Sequence, residues 1–320
     1  MADILLATSM MPMIEAALAR HHTLHKLAEA PDTQAFLSDI AGKITGIATM
    51  GKADATLIDA LPNLQIISSF GVGYDGVDAT HAADKGVVVT HTPDVLNDDV
   101  ANMAVLMLLA CSRRFCEWHS FARSGQWKDL GDPPLARAVS GRKVGILGLG
   151  RIGQDIARKL GVFGCEIVYH GRRKQDDQPY PYYDDLTAMA RDVDFLIAIC
   201  PGGEATRGIV NARVLEALGP EGTFINIARG SVHDEDALIE ALQTGKLGYA
   251  GLDVFENEPE IPETLRMLDN VILQPHQGSA TVETRHKMGQ LVADNLLDWF
   301  DGKPARTPVP ECRHLNRHKA

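Results

Sequence analysis

The sequence predicts an α/β protein built from two doubly wound parallel-sheet domains. Three observations carry that expectation. Short β-branched runs alternate with helical patterns from end to end, as in parallel strands joined by crossover helices. The 320 residues exceed one domain of ordinary size, at about 100–200 residues each. The runs also fall into two series, separated by one long helical segment.

The first series comprises residues 4–7, 46–49, 65–69 and 87–90. His21, His22 and His25 fall within an expected helix, where His22 and His25 share a solvated face; a surface metal site is the alternative reading there. A long helix is expected over about residues 98–124. Pro93, Asp98 and Asp99 suit its start, because acids stabilise a helix N-terminus. The second series comprises residues 143–147, 166–169, 194–199, 223–227, 248–254 and 271–274. A final amphipathic helix is expected over 282–300, with Met288, Leu291, Val292, Leu296, Leu297 and Phe300 at helical spacing. Assigning that helix to the first domain gives a discontinuous domain, 1–97 plus 283–320, around a second one at 98–282. The polar tail from Glu311 is expected to fray.

Composition narrows the function. The 31 Lys and Arg against 42 Asp and Glu give a net charge of -11, which opposes nucleic-acid binding. The longest apolar stretch, 100–111, is shorter than the roughly 20 residues that span a membrane. The N-terminus lacks the basic segment of a signal peptide. Five cysteines without paired spacing suit a reducing cytoplasm. Cys111 and Cys116, five apart, read as packing residues rather than metal ligands.

The most specific motif is Gly148-Leu149-Gly150-Arg151-Ile152-Gly153, lying between a strand and a helix. Gly148 permits a tight turn, Gly150 lets a pyrophosphate approach the backbone, and Gly153 lets the helix pack on the sheet. The helix N-terminus then presents N–H groups to the anion. This pattern defines a Rossmann dinucleotide site. An NAD site usually places Asp or Glu at the end of the next strand to hold the ribose hydroxyls. Here that strand runs into Gly171, Arg172, Arg173 and Lys174, and no acid appears before Asp176. Guanidinium forks pair with a 2′-phosphate. NADP(H) is therefore the expected cofactor, read by Arg172 and Arg173, with NAD(H) possible; a solvated basic turn is the alternative.

Three ionisable residues follow strands of the second series: Arg229, Glu258 and His276. Ligands of open parallel sheets bind beyond the carboxyl ends of strands. The segments 226–230, 251–255 and 275–279, together with the glycine motif and the 69–73 loop, resemble the D-isomer-specific 2-hydroxyacid dehydrogenases. The likeness extends to Thr307-Pro308-Val309 and is strongest to the glyoxylate/hydroxypyruvate reductase branch, including hydroxyphenylpyruvate reductases. Gln277, where a small apolar residue is usual, and the 201–206 loop depart from the pattern.

The resemblance implies a Rossmann cofactor domain, a flavodoxin-like substrate domain and a set of roles. Arg229 holds the keto-acid carboxylate and polarises the ketone. His276 donates a proton to the ketone oxygen and is the base in reverse. Glu258 fixes the ring and favours the imidazolium. The amides of Val72 and Gly73 bind carboxylate as a backbone nest. Apart from the resemblance, Met50 and Gly51 follow a first-series strand and, with Leu96, are expected to line the pocket. Asp253 lies near the nicotinamide, and Cys200, Thr206, Ile227, Ala228 and Gly278 complete the cofactor contacts. No metal is expected. The helix near 98–118 and the arm after it imply a homodimer. The expected reaction is NADPH-dependent reduction of small 2-keto acids, such as glyoxylate and hydroxypyruvate, to D-2-hydroxy acids. Phenylpyruvate or hydroxyphenylpyruvate reduction is the alternative within the family. A dinucleotide-sensing protein resembling corepressors of this fold is the alternative outside enzymology.

Overall fold

The computed structural model describes residues 1–316. They form two compact units, Met1–Leu96 with the chain from Thr281 onward, and Asn97–Ala280. The first unit begins β1 (Asp3–Leu6), α1 (Pro12–Ala19), β2 (Thr23–Lys26), α2 (Thr33–Ile40), β3 (Ile44–Thr49), α3 (Ala55–Asp59), β4 (Ile66–Ser69), α4 (Ala79–Asp84) and β5 (Val88–Thr90). Its five strands pair in parallel in the order β2-β1-β3-β4-β5. That order makes the sheet doubly wound about β1. Asp32, Asp54 and Asp78 start α2, α3 and α4 by accepting hydrogen bonds from N–H groups of the first turn.

The second unit runs through α5 (Asn97–Ser112), α6 (Phe115–Arg123), α7 (Gln126–Leu130), β6 (Lys143–Leu147), α8 (Arg151–Val162), β7 (Glu166–His170), β8 (Tyr182–Tyr183), α9 (Leu186–Asp192), β9 (Phe195–Ala198), α10 (Ala212–Leu218), β10 (Thr223–Asn226), α11 (Glu235–Gln243), β11 (Tyr249–Leu252), α12 (Glu263–Arg266) and β12 (Val271–Leu273). The seven strands are all parallel, in the order β12-β11-β10-β9-β6-β7-β8. The winding reverses between β6 and β9, which sets a ligand crevice at their carboxyl ends. Residues such as Phe224, Leu196 and Leu238 are fully buried in the core.

The chain then returns to the first unit as α13 (Val282–Phe300). This helix packs on β4 and α1. Ser68 Oγ donates to the Val292 carbonyl at 3.1 Å.

Three expectations are corrected. His21 and His22 follow the end of α1, and His25 lies on β2, bonded to Asp3 at 2.8 Å, so no helical face joins them. The signal is weak because β2 is an edge strand with no buried residue. The helix expected over 98–124 is two helices, because Arg114 adopts a left-handed backbone with φ 50°. Its guanidinium there bonds Glu117 at 2.7 Å and lies 4.3 Å from the Trp118 ring centre. The tail up to Asn316 is ordered rather than frayed. Cys312 is fully buried, and the Asn316 side chain exchanges hydrogen bonds with the Ala305 backbone at 2.8 and 2.9 Å. Residues 317–320 of that tail lie outside the described residues.

Candidate active site

The turn from β6 into α8 carries the glycine motif. Gly148 has φ 103°, and a Cβ there would lie 2.8 Å from the Cys200 backbone. A Cβ on Gly153 would lie 2.2 Å from the Gly148 carbonyl oxygen. The turn therefore closes only with glycine at both positions. Gly150, at the head of α8, faces open space: nothing lies within 4 Å of where its Cβ would be, and no side chain caps the helix. A dinucleotide pyrophosphate fits this cradle of uncapped N–H groups. Leu149 is buried, so its backbone alone is offered to a ligand, while Arg151 is exposed and Ile152 is half-buried.

Beside the cradle, β7 runs into Gly171, Arg172 and Arg173, both arginines being exposed. Gln175 Nε2 donates to the Leu149 carbonyl at 3.0 Å, and Tyr182 Oη donates to the Gly171 carbonyl at 3.1 Å. These bonds fix the loop that presents the guanidinium groups. Cys200 and Thr206 lie beyond β9; Cys200 is buried, and Thr206 Oγ1 donates to the Pro201 carbonyl at 2.7 Å.

Arg229, Glu258 and His276 follow three adjacent strands, β10, β11 and β12. His276 Nδ1 and Glu258 Oε2 are 2.7 Å apart. The other carboxylate oxygen, Oε1, accepts from the Phe255 amide at 3.1 Å. Burial pushes the Glu258 carboxyl up, but the His276 hydrogen bond and charge, the Phe255 amide and the Arg229 charge outweigh it. Its pKa is lowered as a result. His276 itself has φ 54°, a left-handed backbone costly for a residue with a Cβ. Its amide holds that conformation by donating to the Asp253 and Gln274 carbonyls, each at 3.0 Å.

Asp253 is buried at the end of β11 and ties the turn together. Its oxygens accept from the Gln277 amide at 2.6 Å and the Gly278 amide at 2.8 Å. Burial pushes its pKa up, opposed by those two amides. The Arg229 turn is held as tightly. A Cβ on Gly230 would lie 2.0 Å from the Phe255 carbonyl carbon, so the Arg229 and Glu258 loops touch backbone to backbone. The Glu256 amide donates to Glu235 Oε1 at 3.2 Å, which ties the Glu258 loop to the start of α11, the helix that follows the Arg229 turn. Ile227 and Ala228 are buried beneath Arg229.

The expected substrate residues Met50, Val72 and Gly73 lie in the first unit, after β3 and β4. Gly71 is stapled there by bonds with Thr92 at 3.0 and 2.8 Å, and the Val72 carbonyl is bonded by the His91 ring at 2.9 Å. Leu96 is buried. Asn226 and His233, which brace the Arg229 turn, drew no role from the sequence. The available signal was an Asn three residues before the Arg at a strand end. Among the described residues, no group of His, Cys, Asp and Glu is arranged to hold a metal ion.

A dinucleotide cradle beside a cationic fork and a carboxylate-backed imidazole defines a dehydrogenase of the nicotinamide class. Comparison with known proteins places it more closely. Residues 105–278 match the family described as D-isomer specific 2-hydroxyacid dehydrogenase, NAD binding domain. A hydroxyphenylpyruvate reductase of Plectranthus scutellarioides is 46% identical over 308 residues, covering 96% of this chain and 98% of that one. A glyoxylate/hydroxypyruvate reductase A of Arabidopsis thaliana is 45% identical, with coverage of 96% and 98%. The crystal structure of an NADPH-dependent glyoxylate/hydroxypyruvate reductase from Sinorhizobium meliloti, in complex with NADP and malonate, superposes with a TM-score of 0.94. It is 45% identical and covers 100% of this chain and 99% of its own. The chain belongs to the D-isomer-specific 2-hydroxyacid dehydrogenases and is an oxidoreductase.

Proposed function

We propose that the protein reduces small 2-keto acids, glyoxylate and hydroxypyruvate first, to D-2-hydroxy acids with NADPH. The observation that carries the reading is the 2.7 Å pair of His276 and Glu258, at the ends of the two strands next to the one that Arg229 follows. When bound, the reduced nicotinamide supplies a hydride to the keto carbon. Arg229 engages the substrate carboxylate and draws charge toward the ketone oxygen as it becomes an alkoxide. Glu258 holds Nδ1 of His276, so the proton leaves for the ketone oxygen from Nε2. The glycine cradle binds the pyrophosphate, with Asp253 and Gly278 shaping the nicotinamide end. The amides of Val72 and Gly73 are offered to carboxylate.

NADPH preference rests on Arg172 and Arg173 at the end of β7, where no acid stands to meet a ribose hydroxyl. Arg172→Ala combined with Arg173→Ala should lower kcat/KM with NADPH by about 10–100-fold, the value of one or two charge-assisted bonds. The NADH value should barely move. A parent enzyme that favours NADH would end this part of the reading.

Hydroxyphenylpyruvate reduction is the second reading, supported by the relative of that name. A panel of glyoxylate, hydroxypyruvate and hydroxyphenylpyruvate, crossed with both cofactors and followed by loss of NADPH absorbance, separates the two. Turnover of none of them would overturn both.

We further infer a homodimer in the cytoplasm. Leu106, Phe115, Trp127, Leu130 and Leu135 are each more than half exposed along α5 to α7 and the segment after them, an apolar surface suited to a second copy. Light scattering at micromolar concentration should give twice the chain mass; a monomer would refute it. All five cysteines are free, and no described helix is long and apolar enough to cross a membrane.

A further inference from the structure

Behind the Arg229 turn sits a buried histidine that the chemistry above leaves unused. Asn226 Oδ1 accepts from the Ala228 amide at 2.9 Å. Its Nδ2 donates one proton to the Arg229 carbonyl and one to His233 Nδ1, both at 2.9 Å. Both amide protons are thereby used, and flipping the amide would set its NH₂ against the Ala228 N–H. This pattern needs His233 Nδ1 as a bare acceptor, which puts the ring proton on Nε2.

The surroundings keep the ring neutral, and the Asn226 bond selects the tautomer. His233 is 3% exposed, and burial pushes its pKa down to about 4, the adjacent Asp234 opposing weakly. Nε2 is buried with no hydrogen-bond partner among the described residues. The ring meets Phe224 edge-on, with centres 5.9 Å apart. Its backbone is pinned by bonds from the Val210 amide to Val232 and from the Asp234 amide to Val210, both at 3.1 Å.

We propose that His233 is a positioning residue for keto-acid recognition. Its Nδ1 sets Asn226, and Asn226 sets the Arg229 carbonyl and the turn that aims the guanidinium. Arg229 Nη1 folds back onto the Ala228 carbonyl at 2.7 Å, within the same turn, so a rotation of residues 226–229 carries directly to the cationic head. The inference rests on Arg229 binding the substrate carboxylate.

The test compares three variants with the parent enzyme on glyoxylate and NADPH. His233→Leu keeps apolar bulk and removes the acceptor. His233→Asn places a carbonyl oxygen where Nδ1 stood. Arg229→Ala tests the underlying reading. His233→Leu should lose about tenfold in kcat/KM for glyoxylate, the size of one buried hydrogen-bond partner removed. Its NADPH Kd, measured by fluorescence titration, should stay at the parent value, and His233→Asn should recover most of the lost efficiency. A merely structural residue predicts the reverse, with Leu tolerated better than Asn. Equal losses in the two variants, or none in His233→Leu, would overturn the proposal. Should His233→Leu fail to fold, His233→Gln replaces it. Gln is nearer to His in size but puts its oxygen at the Nε2 position, so positioning ranks Asn above Gln and packing ranks Gln above Asn. An undiminished Arg229→Ala would remove the reading beneath. A crippled Arg229→Ala beside an unaffected His233→Leu would sink this inference alone.

Discussion

Replacing His276 with alanine should lower kcat for keto-acid reduction by about 10²–10⁴-fold, the range for a lost general acid. NADPH binding should be retained, because the glycine cradle lies on a different turn of the sheet, after β6. The imidazole side chain is 47% exposed, so little packing is lost with it. The backbone at this position is left-handed, which alanine resists and asparagine tolerates better. His276→Asn is therefore the cleaner variant: it should fold as the parent does and be as slow as the alanine form. Single-turnover reduction at saturating glyoxylate reads the chemical step directly. Turnover within a few-fold of the parent in either variant would remove His276 from the proton transfer.

Arg229→Ala should lower kcat/KM for glyoxylate by about 10²–10³-fold, comparable with removing one oxyanion-hole donor. The loss should appear in kcat as well as KM, because the guanidinium both binds the carboxylate and stabilises the developing alkoxide. Arg229→Lys keeps the charge but not the planar fork, and should recover only part of the rate. The neighbouring Glu258 reports on the change, since the Arg229 charge helps hold its carboxyl low. Unchanged catalytic efficiency in the alanine variant would contradict the assignment.

Most of the fold was legible because parallel strands covered on both faces read as unbroken apolar runs. β3, β4, β9 and β10 are buried at nearly every position and stand out at once. β2, whose residues are exposed or only partly buried, carries no such run and passed for helix. β8 has two residues, too few for any periodicity. The break at Arg114 was hidden because the apolar pattern continues across it; what ends the helix is one backbone dihedral and an ion pair three residues on. At the site, Arg229 and His276 could be found because each follows a strand, where chemistry in this architecture gathers. Asn226 and His233 could not, because their importance lies in which lone pair meets which proton, a relation that spacing does not encode.

The return of α13 to the first sheet makes Asn97–Ala280 an insert within the other unit. On the ribosome, the opening 96 residues emerge long before the helix whose Val292 carbonyl receives Ser68 and whose Asn295 clamps Arg306 and Thr307 at 2.9 and 3.1 Å. Nascent chains usually mature from the front. Here the inserted segment can finish first, while the leading sheet waits, one apolar flank uncovered, for the last stretch to be translated. Chaperone demand during biosynthesis should therefore centre on the N-terminal sheet, and a stop codon just before α13 would strand that sheet half-built while sparing the nested unit.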